Sequence, residues 1–575
     1  MDPLSEITEQ THTFDSWDGA KLFYRSWIRP DDTGKAVILL HRGHEHSGRV
    51  ERLFKELRLD GFSGFAYDMR GHGRSEGERG YADNYDVWTK DLNAYINHIR
   101  DTHGILPEKM AIVASSVGAV NAVTWVHDYG VSVRCLVLAA PAFRIRLYVP
   151  LAIPLLRLLW KIMPRAFITS YVRSRMLTHD EDEAKAYDAD PLITRRIAVS
   201  VLIGLHDTAR RILADAGAIT TPTLVMTAGS DYVVENRAQF QFVESISSVV
   251  KEHVVYPNSF HGMFHEVNRQ EIVARTRAFI FAAEPGGVDE SAYTRLEYER
   301  LRIVPNLLAR SVFGFQRVAM RTLGRLSRGI ALGWDTGFNS GRSLDHVYRN
   351  QAEGRWLLGR LIDRCYLNAI GWRGIRLRKE SLQRWIAHAA DRLTASGRPV
   401  RIMDVASGPG RYLLELKRKM GGDVAMLLRD QDQANLESAR TIAETWGLQK
   451  VTFLRADAFD PHAFAGLPFA PNIVVVSGLY ELFPDNRLVL GSLRAIFAAI
   501  APGGYLVYTG QPWHPQLEMI ARTLVGSDGK PWVMRRRTQV ELNALVGDAG
   551  FTRVDSSIDP FGIFTVSLAR KGEQP

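Results

Sequence analysis

Short β-rich segments alternate with amphipathic segments twice along this chain, and this double alternation constrains the fold more than any other feature. The first series runs to about Phe281, and the second begins at Arg401. The segments are AVILLH, FSGFAY, MAIVAS, RCLVLAA, PTLVMTA and EHVVYP, and then RIMDV, VAMLLRD, VTFLRAD, NIVVVSG and GYLVYTG. Such alternation predicts a mostly parallel sheet covered by helices. We therefore predict an α/β protein with two such sheets.

Each predicted sheet also has an antiparallel part. Asp18-Gly19 lies between two alternating segments near the start of the chain and predicts a β-hairpin. FTRVDSSI and GIFTVSLAR, with DPFG between them, predict a strand pair that closes the second sheet.

The length of the chain, 575 residues, is too great for one ordinary core, so at least two domains are expected. The segment AAEPGGVDESA combines proline and glycine with acidic residues and is the best linker candidate. The predicted organisation is a first domain (residues 1–281), the linker (282–292), a largely helical and basic region (293–398) and a second sheet domain (399–575).

The composition, 46% hydrophobic and 23% charged, is typical of a globular protein with full-sized cores. Cys135 and Cys365 match no metal-binding spacing and predict no disulfide framework, which favours a reducing, cytoplasmic compartment. The start, MDPLSEITEQ, is polar and acidic, so no signal peptide is expected. No uncharged apolar run reaches the roughly 18 residues that a membrane-spanning helix needs.

The formal net charge of +9 is concentrated in residues 295–328, where eight arginines accompany two glutamates. Apolar residues alternate with these arginines, which is typical of a basic amphipathic helix. We favour a helix that packs its apolar face on the protein; contact with an anionic membrane surface is the alternative. No nucleic-acid partner is expected, because the sequence shows no basic–aromatic stacking platform.

The segment AIVASSVGAV, residues 111–120, predicts a strand that turns abruptly into a helix. It is close to the nucleophile-elbow pattern G-x-S-x-G, with Ala114 at the first glycine. Ser116 is favoured over Ser115 as the nucleophile, because Ala114 and Gly118, two residues to either side, are small enough for strand and helix to approach.

Asp231 and His261 follow later β-rich segments and complete the order Ser, Asp, His. Each lies where a strand is predicted to end, and open α/β sheets place their sites at these carboxyl ends. We predict Ser116 as nucleophile, His261 as base and Asp231 as the acid that orients the base. His265 is a competing base, four residues later. His41, His44 and His46 do not have a known metal-binding spacing, so no metal is predicted.

HRGHEHSGRV (residues 41–50) and YDMRGHGRSEG (67–77) resemble motifs of the monoacylglycerol lipase and lysophospholipase group of α/β-hydrolases. The resemblance covers roughly residues 12–281 and implies an α/β-hydrolase fold with a cap insertion at about 143–190. It also implies an oxyanion hole formed by the backbone N–H groups of Gly43 and Val117.

The chain departs from this group at Arg42 and His44, where glycine is usual and allows conformations that side chains hinder. A catalytically degenerate, lipid-binding domain is therefore an alternative to an active hydrolase, and acyl transfer is another. The apolar segment LYVPLAIPLLRLLWKIM (147–163) of the cap favours a lipid or acyl substrate.

RIMDVASGPGRYLLEL (residues 401–416) resembles motif I of class I S-adenosylmethionine-dependent methyltransferases, with Ala406 at the first glycine. Asp430 ends the second strand, where the resemblance implies ribose binding. Asp457 and Ala458 follow the third strand, beside the implied adenine site. The implied S-adenosylmethionine-binding residues of this Rossmann-like fold are Asp404, Ala406, Ser407, Gly408, Gly410, Asp430, Asp457, Ala458 and Ser477.

Residues after the fourth and fifth strands are candidates for contact with the methyl acceptor. They are Tyr480, Glu481, Trp513 and His514. Within residues 343–364, Tyr348 and Arg349 are candidates for contact with the cofactor.

The sequence therefore predicts a bifunctional enzyme, a serine ester or lysolipid hydrolase joined to a methyltransferase. Two rival interpretations stay open: a methyltransferase served by a lipid-binding or acyl-transferring hydrolase-like domain, and a nucleic-acid methyltransferase. Small lipid-like molecules are the expected substrates. Peripheral membrane contact through the cap and residues 295–328 is an additional hypothesis.

Overall fold

The computed structural model describes residues 8–29, 33–284, 286–421 and 423–573. It divides into two compact units, Met1–Glu290 and Ser291–Pro575, and the division falls inside the predicted linker. Residues 1–7 of the polar N-terminal segment and Pro285 of the linker lie outside the described residues.

The strands of the first unit begin and end close to the predicted β-rich segments. They are β1 (Glu9–Asp15), β2 (Lys21–Trp27), β3 (Lys35–Leu40), β4 (Phe62–Tyr67), β5 (Met110–Ser115), β6 (Cys135–Ala139), β7 (Phe167–Thr169), β8 (Arg196–Ala198), β9 (Thr223–Ala228) and β10 (Lys251–Tyr256). In the described residues the main sheet has the order β1-β2-β4-β3-β5-β6-β9-β10. β1 and β2 form the predicted hairpin, β2 pairs antiparallel with β4, and the remaining neighbours are parallel.

Helices cover this sheet because its central strands are apolar on both faces. They are α1 (Glu51–Leu57), α2 (Asp86–His103), α3 (Val117–Tyr129), α4 (Ala152–Ile162), α5 (Glu181–Ala189), α6 (Val199–Ala214), α7 (Asn236–Ser245) and α8 (Arg269–Ala282). The α/β-hydrolase fold with an insertion is thereby confirmed. The inserted segment extends beyond the predicted end at residue 190, because β7 pairs with β8. β8 is only three residues long, too short to give a sequence signal.

The second unit contains a second, mostly parallel sheet. Its strands are β11 (Val400–Asp404), β12 (Val424–Asp430), β13 (Val451–Arg455), β14 (Ile473–Val476), β15 (Tyr505–Gly510), β16 (Thr552–Ile558) and β17 (Thr565–Arg570). Their order is β13-β12-β11-β14-β15-β17-β16, and β17 runs antiparallel to both of its neighbours. The predicted Rossmann-like fold with a closing strand pair is confirmed.

Helices precede and surround the second sheet. They are α9 (Ala292–Arg302), α10 (Leu307–Arg321), α11 (Arg328–Thr336), α12 (Gly341–Arg349), α13 (Trp356–Leu367), α14 (Ile370–Ala395), α15 (Arg411–Met420), α16 (Gln433–Thr445), α17 (Asn486–Ala499), α18 (Leu517–Thr523) and α19 (Gln539–Asp548). No helix among the described residues is both long and apolar enough to cross a bilayer.

One buried carboxylate joins the helices that precede the second sheet. Asp363 of α13 accepts hydrogen bonds from the Ser327 hydroxyl (2.5 Å) and the Gly329 N–H (2.8 Å) at the start of α11. Its other oxygen is 3.0 Å from Nε2 of His346 in α12 and 2.8 Å from the Glu353 N–H. These contacts fix α11 to α13 relative to each other, and residues of these helices line the cavities described below.

The favoured interpretation of residues 295–328 holds only in part for α10: Met320 packs against a buried apolar cluster, but none of the residues of α10 is fully buried. Leu307, Leu308 and Phe315 are each more than three-quarters exposed. The apolar residues of α10 lie along a face that no described element covers fully, whereas Leu301 of α9 is buried as expected.

Candidate active sites

The first candidate site is built at the sharp turn between β5 and α3. Ser116 stands alone between the strand and the helix, with φ 53° and ψ −114°, a backbone conformation that non-glycine residues rarely adopt. Gly118 lets the helix approach, since a Cβ atom there would lie 2.5 Å from the His41 carbonyl oxygen. Ala114, at the position of the usual first glycine, is completely buried in β5.

The structure brings Ser116, His261 and Asp231 into one hydrogen-bonded line. His261 Nε2 is 2.8 Å from Ser116 Oγ, and His261 Nδ1 is 2.8 Å from Asp231 Oδ2. The other Asp231 oxygen accepts the N–H groups of Val233 and Val234, at 2.7 and 2.9 Å. Burial opposes ionisation of Asp231, but His261 and these two N–H groups outweigh it and lower its pKa. A carboxylate at Nδ1 leaves the Nε2 lone pair free to accept the serine proton.

The other histidines named from the sequence have different partners. His265 lies against the Arg49 carbonyl oxygen, 3.0 Å from Nε2, and burial lowers its pKa to about 3. His41 lies against the Arg42 carbonyl oxygen, and His46 pairs with Asp190. In the described part of the chain no three metal-ligating side chains form a cluster that could hold an ion.

The predicted oxyanion residues, Gly43 and Val117, line the same cavity as Ser116 and His261. Val117 is the first residue of α3, so its N–H has no acceptor within the helix. Gly43 lies close to it, since a Cβ atom on Gly43 would be 3.1 Å from Val117 Cγ2. This arrangement can present backbone donors to a negative oxygen near Ser116.

The two departures from glycine in this loop have different structural consequences. The buried Arg42 side chain binds Glu45 through Nε (3.0 Å) and Nη2 (2.5 Å), and Arg42 lines the cavity together with Gly43. Burial opposes both charges, but the pair itself raises the pKa of Arg42 and lowers that of Glu45. His44 has φ 71°, the left-handed conformation in which glycine is favoured. Contacts of His44 with Ser170 and Thr194 hold it there.

The cavity above Ser116 has a volume of about 460 Å³ and mostly apolar walls. The inserted segment and α6 supply many of them: Ile145, Leu147, Val149, Ala152, Leu155, Leu156 and Ile168, and from α6 Val201, Leu202 and Leu205. α4 contains no buried residue, and Leu151, Leu155 and Ile162 expose more than half of their surface. The cavity suits an acyl chain rather than a polar ligand.

The second candidate site begins at the turn from β11 to α15. Gly408 and Gly410 have φ values of 55° and 63°, and a Cβ atom on Gly410 would lie 2.8 Å from Leu428 Cδ1. Asp404 lies behind this turn, where it accepts the Ala406 N–H (3.1 Å) and the Tyr412 hydroxyl proton. Burial raises the pKa of Asp404 to about 7. Asp404 thus supports the turn and does not line the cavity above it.

This cavity, which we call the cofactor cavity, has a volume of about 560 Å³. It is lined by the other residues predicted to bind the cofactor: Ala406, Ser407, Gly408, Gly410, Asp430, Asp457, Ala458 and Ser477. Asp430 Oδ2 accepts the Gly408 N–H at 2.8 Å, which ties the second strand to the glycine turn. Tyr348 lines the cavity, whereas Arg349 does not and is paired with Asp345 and Glu353.

A second cavity, which we call the acceptor cavity, shares part of its wall with the cofactor cavity. Its volume is about 320 Å³, and the shared residues are Asn339, Leu344, Arg378, Gly478 and Leu482. Of the predicted acceptor-contact residues, Glu481 and His514 line it and Tyr480 and Trp513 do not. The Tyr480 hydroxyl is instead buried 3.2 Å from the Ser492 hydroxyl.

Sequence reasoning missed several residues of the acceptor cavity, including Trp372 and Arg378. Trp372 and Arg378 lie in α14, whose sequence carries no motif. Only the folded helix brings these residues to the ends of the sheet strands, so no local signal could have identified them.

Two family models match this chain. The model described as "Putative methyltransferase" matches residues 278–571, just over half of the chain. The model described as "Serine aminopeptidase, S33" matches residues 31–268.

Three proteins illustrate the similarity. Over 572 residues, 97% of this chain and 98% of the relative, the chain is 43% identical to "Uncharacterized protein YnbC" of Escherichia coli (strain K12). It is 23% identical over 275 residues to a monoacylglycerol lipase of Mycolicibacterium smegmatis, covering 48% of this chain and 97% of the relative. It is 29% identical over 270 residues to human monoglyceride lipase, covering 44% of this chain and 86% of the relative.

Arg42→Met is predicted to destabilise the first unit, because it removes both hydrogen bonds that Arg42 gives to the buried Glu45 carboxylate and leaves only the longer contact with Arg49, at 3.8 Å. The free energy needed to expose the strand amides to solvent is expected to fall by about 3–5 kcal/mol. Arg42→Met/Glu45→Gln should recover much of this loss, since no unpaired charge remains. Amide hydrogen exchange of β5 and β6 measures the effect. Arg144→Met, at an exposed position, is the control. An Arg42→Met variant as stable as the wild type would contradict the role of the Arg42–Glu45 pair.

Proposed function

Since this chain belongs to the family described as "Putative methyltransferase" and carries a hydrolase-family domain ahead of it, we propose that it is a bifunctional enzyme. The first unit hydrolyses esters of lipid-like molecules through an activated serine. The second unit transfers a methyl group from S-adenosylmethionine. The observation that carries the first activity is the hydrogen-bonded line Ser116–His261–Asp231, whose serine and histidine line an apolar cavity.

In the proposed hydrolysis, Ser116 Oγ attacks the ester carbonyl carbon while His261 Nε2 takes the hydroxyl proton. The Asp231 carboxylate stabilises the resulting imidazolium and holds its orientation. Backbone N–H groups of Gly43 and Val117 bind the negative oxygen, and losing one such donor typically costs about 10²–10³-fold in rate. His261 then gives its proton to the departing alcohol, and water releases the acid from Ser116.

Two observations support a lipid-like ester. The cavity walls are apolar around the serine, and relatives of the first unit are named monoacylglycerol or monoglyceride lipases, with one named phospholipase YtpA. The free cysteines, of which Cys365 is exposed, favour a reducing, cytoplasmic location.

A fluorophosphonate probe is predicted to label the wild-type chain covalently, because His261 activates Ser116. Ser116→Ala should lose the label, and Ser115→Ala, which changes the neighbouring hydroxyl, should keep it. Gel fluorescence and mass spectrometry of the labelled peptide are the measurements. A folded wild-type chain that takes no label would instead favour a lipid-binding role for the first unit.

The second activity rests on the cofactor cavity. Its residues fit S-adenosylmethionine: the backbone of the glycine turn allows close approach, Asp430 ends β12, and Asp457 follows the neighbouring β13. The three hydrogen bonds to Asp430 leave acceptor capacity on Oδ2 for a ribose hydroxyl. When bound, this cofactor supplies a methyl group on a positively charged sulfur. The residues of the chain need only hold donor and acceptor in line.

Asp430→Asn is predicted to weaken S-adenosylhomocysteine binding about ten- to hundredfold, because it removes a charged hydrogen-bond acceptor. Isothermal titration calorimetry gives the dissociation constant. Asp423→Asn, at an exposed site beside the same strand, should bind as the wild type does. Equal binding by Asp430→Asn and the wild type would contradict this cofactor assignment.

We further propose that the second unit binds anionic membrane surfaces. Leu307, Leu308 and Phe315 of α10 and Trp356 and Leu357 of α13 are all more than three-quarters exposed. Arginines accompany them in both helices, so the surface combines apolar insertion with attraction to anionic headgroups. The exposed apolar residues of α4 offer a separate membrane contact in the first unit.

Phe315→Glu is predicted to lower binding to vesicles of phosphatidylcholine and phosphatidylglycerol by about tenfold or more, since a buried phenyl group contributes roughly 1.5–3 kcal/mol. Gln316→Glu adds the same charge at the next exposed position but removes no apolar group, so it should have a smaller effect. Co-sedimentation with and without phosphatidylglycerol measures both. If both variants lose the same amount of vesicle binding, the added charge alone explains the loss. That result would contradict insertion of the Phe315 side chain into the membrane.

A further inference from the structure

The acceptor cavity shares part of its wall with the cofactor cavity and has a mostly apolar lining with a few polar groups. Most of the lining is apolar, with side chains such as Ile330, Ile362, Trp372, Ile375 and Met519. The polar groups include Arg378 and Gly478, which the two cavities share. A ligand with an apolar body and one polar end would suit this distribution.

Three residues of the acceptor cavity have a buried N–H donor without an acceptor. Among the described residues, Arg378 Nε, Gln511 Nε2 and Trp532 Nε1 are buried and have no hydrogen-bond partner. A buried donor without an acceptor is costly, so native proteins rarely retain one without a reason. Since similar donors occur elsewhere in the described residues, it is the cationic Arg378 of this lining that selects the ligand.

His514 adds a further donor. Its Nδ1 accepts the Gln516 N–H at 3.0 Å, and burial lowers the pKa of His514 to about 4. The ring is therefore neutral at physiological pH and carries its proton on Nε2. In this tautomer His514 can donate a hydrogen bond from Nε2. The same nitrogen cannot act as a base that takes a proton from the molecule to be methylated.

Arg378 is a cation that its surroundings satisfy only in part. Its side chain is 2% exposed and its guanidinium lies 4.9 Å from the centre of the Phe564 ring. The nearest carboxylate, that of Glu481, is 3.6 Å from Nη1, which is an ion pair but too long for a hydrogen bond. A planar guanidinium of this kind matches the two oxygens of a carboxylate. An ammonium group would be repelled.

We propose that the acceptor cavity binds a carboxylic acid with an apolar tail and that Arg378 holds its carboxylate beside the methyl donor. This inference rests on the proposed methyltransferase function. The carboxylate oxygen forms the new bond to the methyl carbon, the carbon–sulfur bond breaks with its electron pair on sulfur, and no proton moves. The products are a methyl ester and S-adenosylhomocysteine, and the reaction needs no base.

The proposed methylation of a carboxylic acid makes the two proposed activities consecutive reactions. Hydrolysis of an ester, proposed for the first unit, releases a carboxylic acid, and an acid with an apolar tail is what the acceptor cavity would take. Ester hydrolysis is therefore the class of reaction that supplies the methyl acceptor.

The test uses the full chain with dodecanoate, and with dodecanol and dodecylamine as neutral and cationic analogues. Formation of S-adenosylhomocysteine is followed because it is unaffected if the methyl ester is later hydrolysed. Dodecanoate should accelerate it, and the two analogues should not. Equal acceleration by dodecanol or dodecylamine would overturn the carboxylate assignment.

Variants of Arg378 separate the acceptor from the cofactor. Arg378→Met should raise the KM for dodecanoate about ten- to hundredfold, and Arg378→Lys should restore part of this loss. Calorimetry should give an unchanged dissociation constant for S-adenosylhomocysteine, and Arg384→Met, exposed on the same helix, should behave as the wild type. If Arg378→Met instead weakens the binding of S-adenosylhomocysteine, Arg378 binds the carboxylate of the cofactor and the inference fails. If the wild type does not bind S-adenosylhomocysteine, the proposed methyltransferase function itself fails.

Discussion

The turn from a buried parallel strand into a helix is the feature on which both halves of this protein depend. Where β5 meets α3, Ser116 takes a positive φ and the first N–H of the helix has no helical acceptor. Where β11 meets α15, Gly408 and Gly410 take positive φ values, and the Gly408 N–H is bound by Asp430. Backbone donors at a helix start favour negative charge, and in both halves the turn lies beside a candidate site at the carboxyl end of a central strand.

Much of this arrangement could be predicted from the sequence, because the signals are local. The apolar segments predicted the strands of the two sheets. The residues that follow these segments include Ser116, Asp231 and His261, which the fold brings within hydrogen-bond distance. Residues that act through long-range packing gave no such signal. Asp404 was predicted to contact the cofactor but supports the turn from behind, and Arg378 reaches the cavities only because α14 packs beside the sheet.

Two buried arginines show how the surroundings of a charge indicate its role. Arg42 is neutralised by Glu45 through hydrogen bonds from Nε and Nη2, although its Nη1 has no partner among the described residues. Arg378 has only a longer contact with Glu481, and its Nε has no partner in the described residues. Because a buried cation is stable only when it is well paired, the second arginine is the one expected to bind a ligand.

The central claim is that the two units catalyse consecutive reactions on one acyl group. The most direct measurement supplies the full chain with S-adenosylmethionine and monododecanoylglycerol and follows S-adenosylhomocysteine by mass spectrometry. We predict that the wild type forms it from the ester, and that Ser116→Ala forms it from added dodecanoate but not from the ester. Equal formation from the ester by both proteins would show that hydrolysis does not precede methyl transfer and would contradict the account.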